Sequence, residues 1–445
     1  MIERLRQWLL PGMGVKRWLV VNLAGASLAI VGIMLLIGLP VWERFGWVFR
    51  TAYLRLLTSN YALPLGIILF AGGLSMAYVG VRRMSTSIAR VVAPDSEVNL
   101  RELFFRRRQM ERAPKIVVIG GGSGLSMLLR GLKAYSANLT AIVTVADDGG
   151  SSGRLRRDFG VLPPGDIRNC LVALSDAEGL MTDLFNYRFD QGEGLAGHNF
   201  GNLFLAAMNE VQEGNFIEAI KAASKVLAVR GRVLPATLSS LVLVAEFDNG
   251  EVLRGESNIG RTARRIAKLR IEPEDASALP EVLEAIHEAD AIILGPGSLY
   301  TSIMPNLCIQ EIVEAINRSP ALVAYICNIM TQPGETTGHS AADHLEALHT
   351  HAGSNLCKYI VVNTGALELS PGYMQEGGRP VVFDEERLRE MGVNVVTGDF
   401  VLRGTETVRH DTEMLAKTLI DLIVKEQYTL ERRRALIEQL HKLDV

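Results

Sequence analysis

Cysteine is scarce in this chain of 445 residues: Cys170, Cys308, Cys327 and Cys357 are the only four, and no two form a CxxC pair. That spacing argues against a zinc ribbon or a redox motif, and the four read as reduced residues buried in a cytosolic domain. HExxH is missing as well. His339, His344, His349 and His351 invite a metal reading, but His344 and His349 stand five apart, which does not stack two ligands on one helical face. No metal ligand is assigned. Basic surplus is lacking where a nucleic-acid binder needs it: residues 1–113 hold 15 Lys and Arg against 6 Asp and Glu, and of the chain's 46 and 49 the remainder holds 31 against 43. An acidic soluble part has no electrostatic footprint for nucleic acid, which is not expected as a partner.

Charge is absent altogether from Leu19 to Val41 and from Tyr61 to Val81. Each run is long enough to cross a bilayer, which takes about 20 residues. A secretory signal has a shorter apolar core, so two such runs predict a transmembrane helical hairpin over residues 1–81. All four tryptophans, Trp8, Trp18, Trp42 and Trp47, fall in this part, and Tyr61 and Tyr78 sit near the ends of the second run, as interfacial aromatics do. Arg4, Arg6, Lys16 and Arg17 before the first run and Arg82, Arg83 and Arg90 after the second, against Arg44, Arg50 and Arg55 in the connector, place both termini in the cytoplasm. Residues 82–113 form a basic linker. Arg106 to Arg108 beside Leu103, Phe104 and Phe105 suit either a helix lying on anionic headgroups or a solvated spacer.

The remaining chain is organised around KIVVIGGGSGLSMLLRGL, Lys115 to Leu132. Its first five residues are the apolar, β-branched run of a buried parallel strand, and Leu125, Leu128, Leu129 and Leu132 share one face of a helix. Between them Gly120, Gly121, Gly122, Ser123 and Gly124 free backbone N–H groups to approach a phosphate at the helix N-terminus. It is not a P-loop, since no Gly-Lys-Ser/Thr follows, and the third glycine of a dinucleotide fingerprint is replaced by Leu125. The next strand, Leu139 to Val145, ends in Asp147, Asp148, Gly149, Gly150, Ser151, Ser152, Gly153 and Arg154. In a doubly wound sheet this second glycine loop reaches the same crevice, with amides and a guanidinium for phosphate and carboxylates for hydroxyls or a metal.

Asp166 is placed as the cap of a helix starting near Ile167, with Arg168 and Asn169 facing the two loops. His198, Asn199 and Asn202 stand among glycines at another helix start. Val233 to Gly255 reads as a β-hairpin insertion turning at Asp248, Asn249 and Gly250. Ala291 to Leu294 is a strand followed by Gly295, Gly297 and Ser298, and Leu322 to Cys327 is one followed by Asn328. Tyr373 is a candidate to stack on a base and Arg409 to pair with a phosphate. The pattern predicts an α/β fold: a Rossmann-like parallel sheet over residues 114–425, with a small β-hairpin insertion and a charged helix over 426–445.

VIGGGSGLSMLLRGLK, TVADDGGSSGRLRRDFGVLPPGDIRNCLVALS, ILGPGSLYTSIMPN, NIMTQPGET and RHD together closely resemble the gluconeogenesis factor family, the YvcK-like proteins. These share a superfamily with 2-phospho-L-lactate transferase, the CofD-like enzymes. The resemblance implies a Rossmann-like fold, binding of a nucleotide-sugar such as UDP-N-acetylglucosamine, and a role in cell-wall synthesis, cell shape and growth on gluconeogenic carbon sources. Expected partners are a UDP-sugar or related nucleotide, membrane lipid and cell-wall synthesis proteins, with Mg2+ and a homo-oligomer left open. A binding regulator is favoured over an enzyme. The alternative is an Mg-dependent transferase in which Asp147 and Asp148 match the acidic pair near the acceptor hydroxyl.

Overall fold

The computed structural model describes residues 15–37, 61–92, 110, 112–176, 179–260, 262, 264–353, 356–367, 378–404 and 407–428. Trp8, Trp42, Trp47, the connector arginines, Arg106 to Arg108, Tyr373 and residues 429–445 lie outside them. The chain divides into two compact units, Met1–Arg108 and Gln109–Val445.

In the first unit α1 (Val15–Ile37) and α2 (Ala62–Val92) pack together. Both contain a segment long and apolar enough to cross a membrane, Arg17–Ile37 and Ala62–Met84, by length and composition. Small residues set their approach: a Cβ at Gly32 would lie 2.5 Å from the Phe70 backbone nitrogen, and one at Gly73 would overlap that of Ala29. Pairing runs from Asn22 against Gly80 to Leu36 against Gly66, so the helices are antiparallel. Leu23, Ile30, Ile67, Ile68 and Leu74 remain exposed on the outside. Small residues thus form the seam of the pair while larger apolar side chains lie on its outside. At one end the Arg17 and Arg83 guanidiniums lie over the Trp18 ring, 5.4 and 5.7 Å from its centroid.

The second unit is built on a seven-stranded parallel sheet. Its strands are β1 (Ile116–Gly120), β2 (Leu139–Val143), β3 (Arg232–Pro235), β7 (Ala291–Leu294), β8 (Leu322–Ile326), β9 (Tyr359–Asn363) and β10 (Asn394–Gly398), in the order β10-β9-β8-β7-β1-β2-β3. β1 is an interior strand, flanked by β2 and β7, and all five of its residues are buried, which explains its unbroken apolar run. From β1 the chain first moves one way, to β2 and β3, and later returns to the other side through β7. The order therefore reverses between β1 and β7, and the crevice beyond the C-terminal ends of those strands is where such sheets bind ligands.

Four helices shape that edge: α3 (Gly122–Leu132), α4 (Gly150–Phe159), α5 (Gly165–Leu174) and α7 (Phe200–Val211), with α6 (Gly179–Asn186) beside them. α3 buries Leu125, Leu128, Leu129 and Leu132, the face its periodicity predicts. The hairpin around Asp248 to Gly250 forms as β4 (Val242–Phe247) and β5 (Val252–Arg254). Two features differ from the sequence reading. Val233 to Pro235 belongs to β3 in the main sheet, and a third strand, β6 (Ile266–Glu272), completes a separate antiparallel sheet of order β5-β4-β6. β6 alternates buried Leu269 and Ile271 with more exposed Lys268, Arg270 and Glu272, a half-buried pattern to which the hairpin reading did not extend. All four cysteines are free thiols.

Candidate functional site

At the switch point two glycine loops touch. A Cβ at Gly124 would lie 2.7 Å from the Pro296 carbonyl oxygen, and one at Gly297 would lie 3.2 Å from that of Gly121. Only backbone fits between β1 and β7 here. Gly122, at φ +68°, starts α3 in a left-handed conformation that β-branched side chains avoid. The result is a ridge of amides from Ser123, Gly124, Gly297 and Ser298, and a cavity opens on each side of it.

The first cavity, about 590 Å3, is acidic. Asp147 and Asp166 line it together with Glu256 from the short helix α8 (Glu256–Ile259) and Glu335. Burial pushes the Asp166 carboxyl up to about 6, against a hydrogen bond from the Gly122 backbone. Glu256 is raised to about 9 by burial and then by the charges of Asp147, Asp166, Glu335 and Asp148, so it is protonated at neutral pH. Glu335 is raised by burial although Thr301 Oγ1 donates to it at 3.0 Å. Of the carboxyl groups around this space, Asp166, Glu256 and Glu335 have their charged forms disfavoured, which suits hydrogen-bond donation to a ligand. Among the described residues no three His, Cys, Asp or Glu side chains are arranged to hold a metal ion.

The two acidic residues after β2 part company. Asp147 faces the cavity, whereas Asp148 Oδ1 accepts from Ser257 N at 2.9 Å and Ser257 Oγ at 2.6 Å. Asp148 thus fastens the second glycine loop to α8, and Arg156 of α4 ties down the segment before β4 by donating to Ser240 Oγ and the Leu241 carbonyl, both at 2.7 Å. Asp166 is not a helix cap: α5 begins one residue earlier without a side-chain cap, which leaves its carboxyl in the cavity. Sequence reasoning named neither Glu256 nor Glu335 as a site residue, although Glu335 lies within the NIMTQPGET motif.

The second cavity, about 450 Å3, is lined by Met127, Met330, Asn328, Gln332, Arg409 and His410 among others. α10 (Thr412–Gln427), capped by Asp411, packs on α3 so closely that a Cβ at Gly131 would lie 3.0 Å from Ala416 Cβ. That packing brings exposed Arg409 beside the ridge, its Nε donating to Thr407 Oγ1 at 3.0 Å. Gly295, with φ +85°, lies under the ridge and lines neither cavity. Of the other sequence candidates Gly149 lines the acidic cavity, while Arg154, Arg168, Asn169, His198, Asn199 and Asn202 line neither. Those six gather elsewhere, around α4, α5 and α7. Two histidines of α9 (Ala341–Ala352) are held by backbone groups: His344 Nδ1 shares a hydrogen bond with the Ser340 carbonyl, and His351 Nε2 accepts from Leu269 N.

Residues 116–401 match the family described as 2-phospho-L-lactate transferase CofD. The Bacillus subtilis gluconeogenesis factor is 51% identical over 316 residues, 71% of this chain and 99% of its own. A Nostoc sp. relative with a name of the same kind is 48% identical over 421 residues, 93% of this chain and 91% of its own, so likeness reaches into the N-terminal unit. A crystal structure of a Bacillus halodurans protein is similar at TM-score 0.68 and 46% identity, covering 69% of this chain and 100% of that one.

Proposed function

Because the chain belongs to the gluconeogenesis factor family and carries a CofD-type domain, we propose that it is a nucleotide-sugar-binding regulator that takes UDP-N-acetylglucosamine or a related UDP-sugar at the switch point. The observation that carries this reading is the amide ridge with a cavity on either side. A diphosphate is the group that such a ridge suits, because N–H groups at the start of α3 and beside Gly297 present positive ends to it. Arg409 adds a fixed charge from one side. The base then occupies the cavity of Met127 and Met330, and sugar hydroxyls meet the carboxyl groups of Asp147, Asp166, Glu256 and Glu335. Through that ligand the protein serves cell-wall synthesis, cell shape and growth on gluconeogenic carbon sources, with α1 and α2 in the cell membrane and the α/β unit on its cytoplasmic side.

Calorimetry with UDP-N-acetylglucosamine tests it. Arg409→Ala should weaken binding about tenfold or more, a charge-assisted hydrogen bond being worth roughly 1.5 to 3 kcal/mol. Gly122→Val should remove binding by forcing α3 out of its left-handed start. Unchanged affinity in both variants overturns the site. The CofD match also favours a second reading, a transferase in which Asp147 lies near the acceptor hydroxyl. Multiple-turnover release of nucleotide from nucleotide-sugars and phosphorylated acceptors, abolished by Asp147→Asn, would decide for it.

A further inference from the structure

Apart from the two cavities, three arginines converge where α4, α5 and the segment before α7 meet. Arg154 Nη1 donates to the Ala196 carbonyl at 3.1 Å and Arg188 Nη1 to the adjacent Gly197 carbonyl at 2.7 Å, so the two guanidiniums are anchored one peptide apart. Arg168 reaches the same place from α5, its stem passing where a Cβ at Gly201 would lie 2.7 Å from its Cδ. Its Nη2 donates only to Asn169 Oδ1, at 2.6 Å. None of the three forms an ion pair among the described residues, and the Nε groups of Arg154 and Arg168 are buried with no hydrogen-bond partner. The charges feel one another. Burial and then Arg188 depress Arg168, with Asp166 opposing, while burial and then Arg154, with Arg188, depress His198 against Asp158. His198 Nδ1 shares a 3.1 Å hydrogen bond with Ser151 Oγ near the start of α4.

Three guanidiniums without an ion pair among the described residues are gathered around residues 197–201, Arg154 and Arg188 held by backbone carbonyls and Arg154 and Arg168 packed against the small residues Gly197 and Gly201. An anion would compensate these charges, and planar guanidinium forks match the oxygens of phosphate. We propose that Arg154, Arg168 and Arg188 form a second anion site, distinct from the cleft, that binds the phosphate of a small phosphorylated metabolite. Charges that converge on one spot suit a single phosphate group, whereas a membrane surface or a nucleic acid calls for charges spread along a face. Arg188 is exposed and leaves the site open on that side. The proposal does not rest on the nucleotide-sugar reading, since none of its residues lines either cavity.

The test is equilibrium dialysis of the full-length, detergent-solubilised protein with radiolabelled inorganic phosphate, and with glycerol phosphate as a phosphomonoester competitor. Saturable phosphate binding that weakens at least tenfold in Arg188→Gln and Arg154→Gln, and is unchanged in Arg409→Ala, supports the site. Arg188 is exposed, so its replacement keeps the fold intact, and thermal melts of each variant verify this. Absence of saturable binding overturns the proposal. So does binding lost in Arg409→Ala but not in Arg188→Gln, which would place the anion in the cleft. If UDP-N-acetylglucosamine fails to bind while phosphate binding follows Arg188, the cleft reading falls and this one stands.

Discussion

Asp147, Asp148 and Asp166 show how a carboxylate's work is set by what faces it. Asp148 is taken up by two Ser257 donors, so Asp148→Ala should cost about 1.5 to 3 kcal/mol in thermal unfolding, as loss of hydrogen bonds to a charged group does. Glu256 has the opposite character, since folding raises its pKa to about 9. A carboxyl raised in the folded state contributes stability that is complete below its ordinary pKa and is lost as pH climbs to the folded one. For Asp166 that window closes at about 6 and for Glu256 at about 9. The ligand-free protein should therefore lose stability steadily from mildly acidic to alkaline pH. Glu256→Gln should remove the part of the decline above about pH 6, measured as Tm against pH, and leave the part contributed by Asp166. Identical profiles would show that Glu256 is not buried among like charges.

Among the elements, the helix pair α1 and α2 offers a comparison with its own control. A Cβ at Gly73 overlaps the Ala29 backbone, whereas one at the neighbouring Gly72 meets nothing within 4 Å. Gly73→Ile should separate the helices and Gly72→Ile should leave them paired, read as cross-linking between cysteines introduced at Asn22 and Gly80, which pack together. Equal cross-linking in both variants would refute the seam. In the α/β unit the same close approach places Gly124 on Pro296, and Gly124→Val should weaken ligand binding by pushing the two loops apart. Calorimetry checks it alongside Gly150→Val, where a Cβ meets nothing within 4 Å but φ is +47°, so that strain without crowding is measured separately.

For the whole molecule, the two compact units predict separable behaviour. Residues 109–445 alone should fold and stay in solution, because the Bacillus subtilis relative, which this chain covers over 99% of its length, matches only 71% of this chain. The full chain should resist carbonate extraction from membranes, and its release into the soluble fraction would remove the membrane hairpin from the account. Composition changes along the chain, from uncharged runs at Leu19 to Val41 and Tyr61 to Val81 to acidic sequence after residue 113. The third strand of the small sheet was not placed by sequence, because β6 pairs with β4 across the intervening β5 and α8, a partnership that no local pattern records.

Sequence by itself determined the features that depend on neighbours along the chain. Buried strands such as IVVIG, the leucine face of α3, the hairpin turn at Asp248 to Gly250 and the glycine runs are local, since strand and helix periodicity and glycine's freedom act over a few residues. Tertiary structure alone decided which loops meet. Loop Gly120 to Gly124 rests against Pro296 and Gly297, because β7 returns to the free side of β1 after more than a hundred residues. It alone decided that Asp148 ties down α8, that Asp166, Glu256 and Glu335 surround one cavity, and that Arg154, Arg168 and Arg188 crowd together apart from it. Chain order carries no record of these meetings, because the charge on a buried side chain is set by the groups that surround it in space.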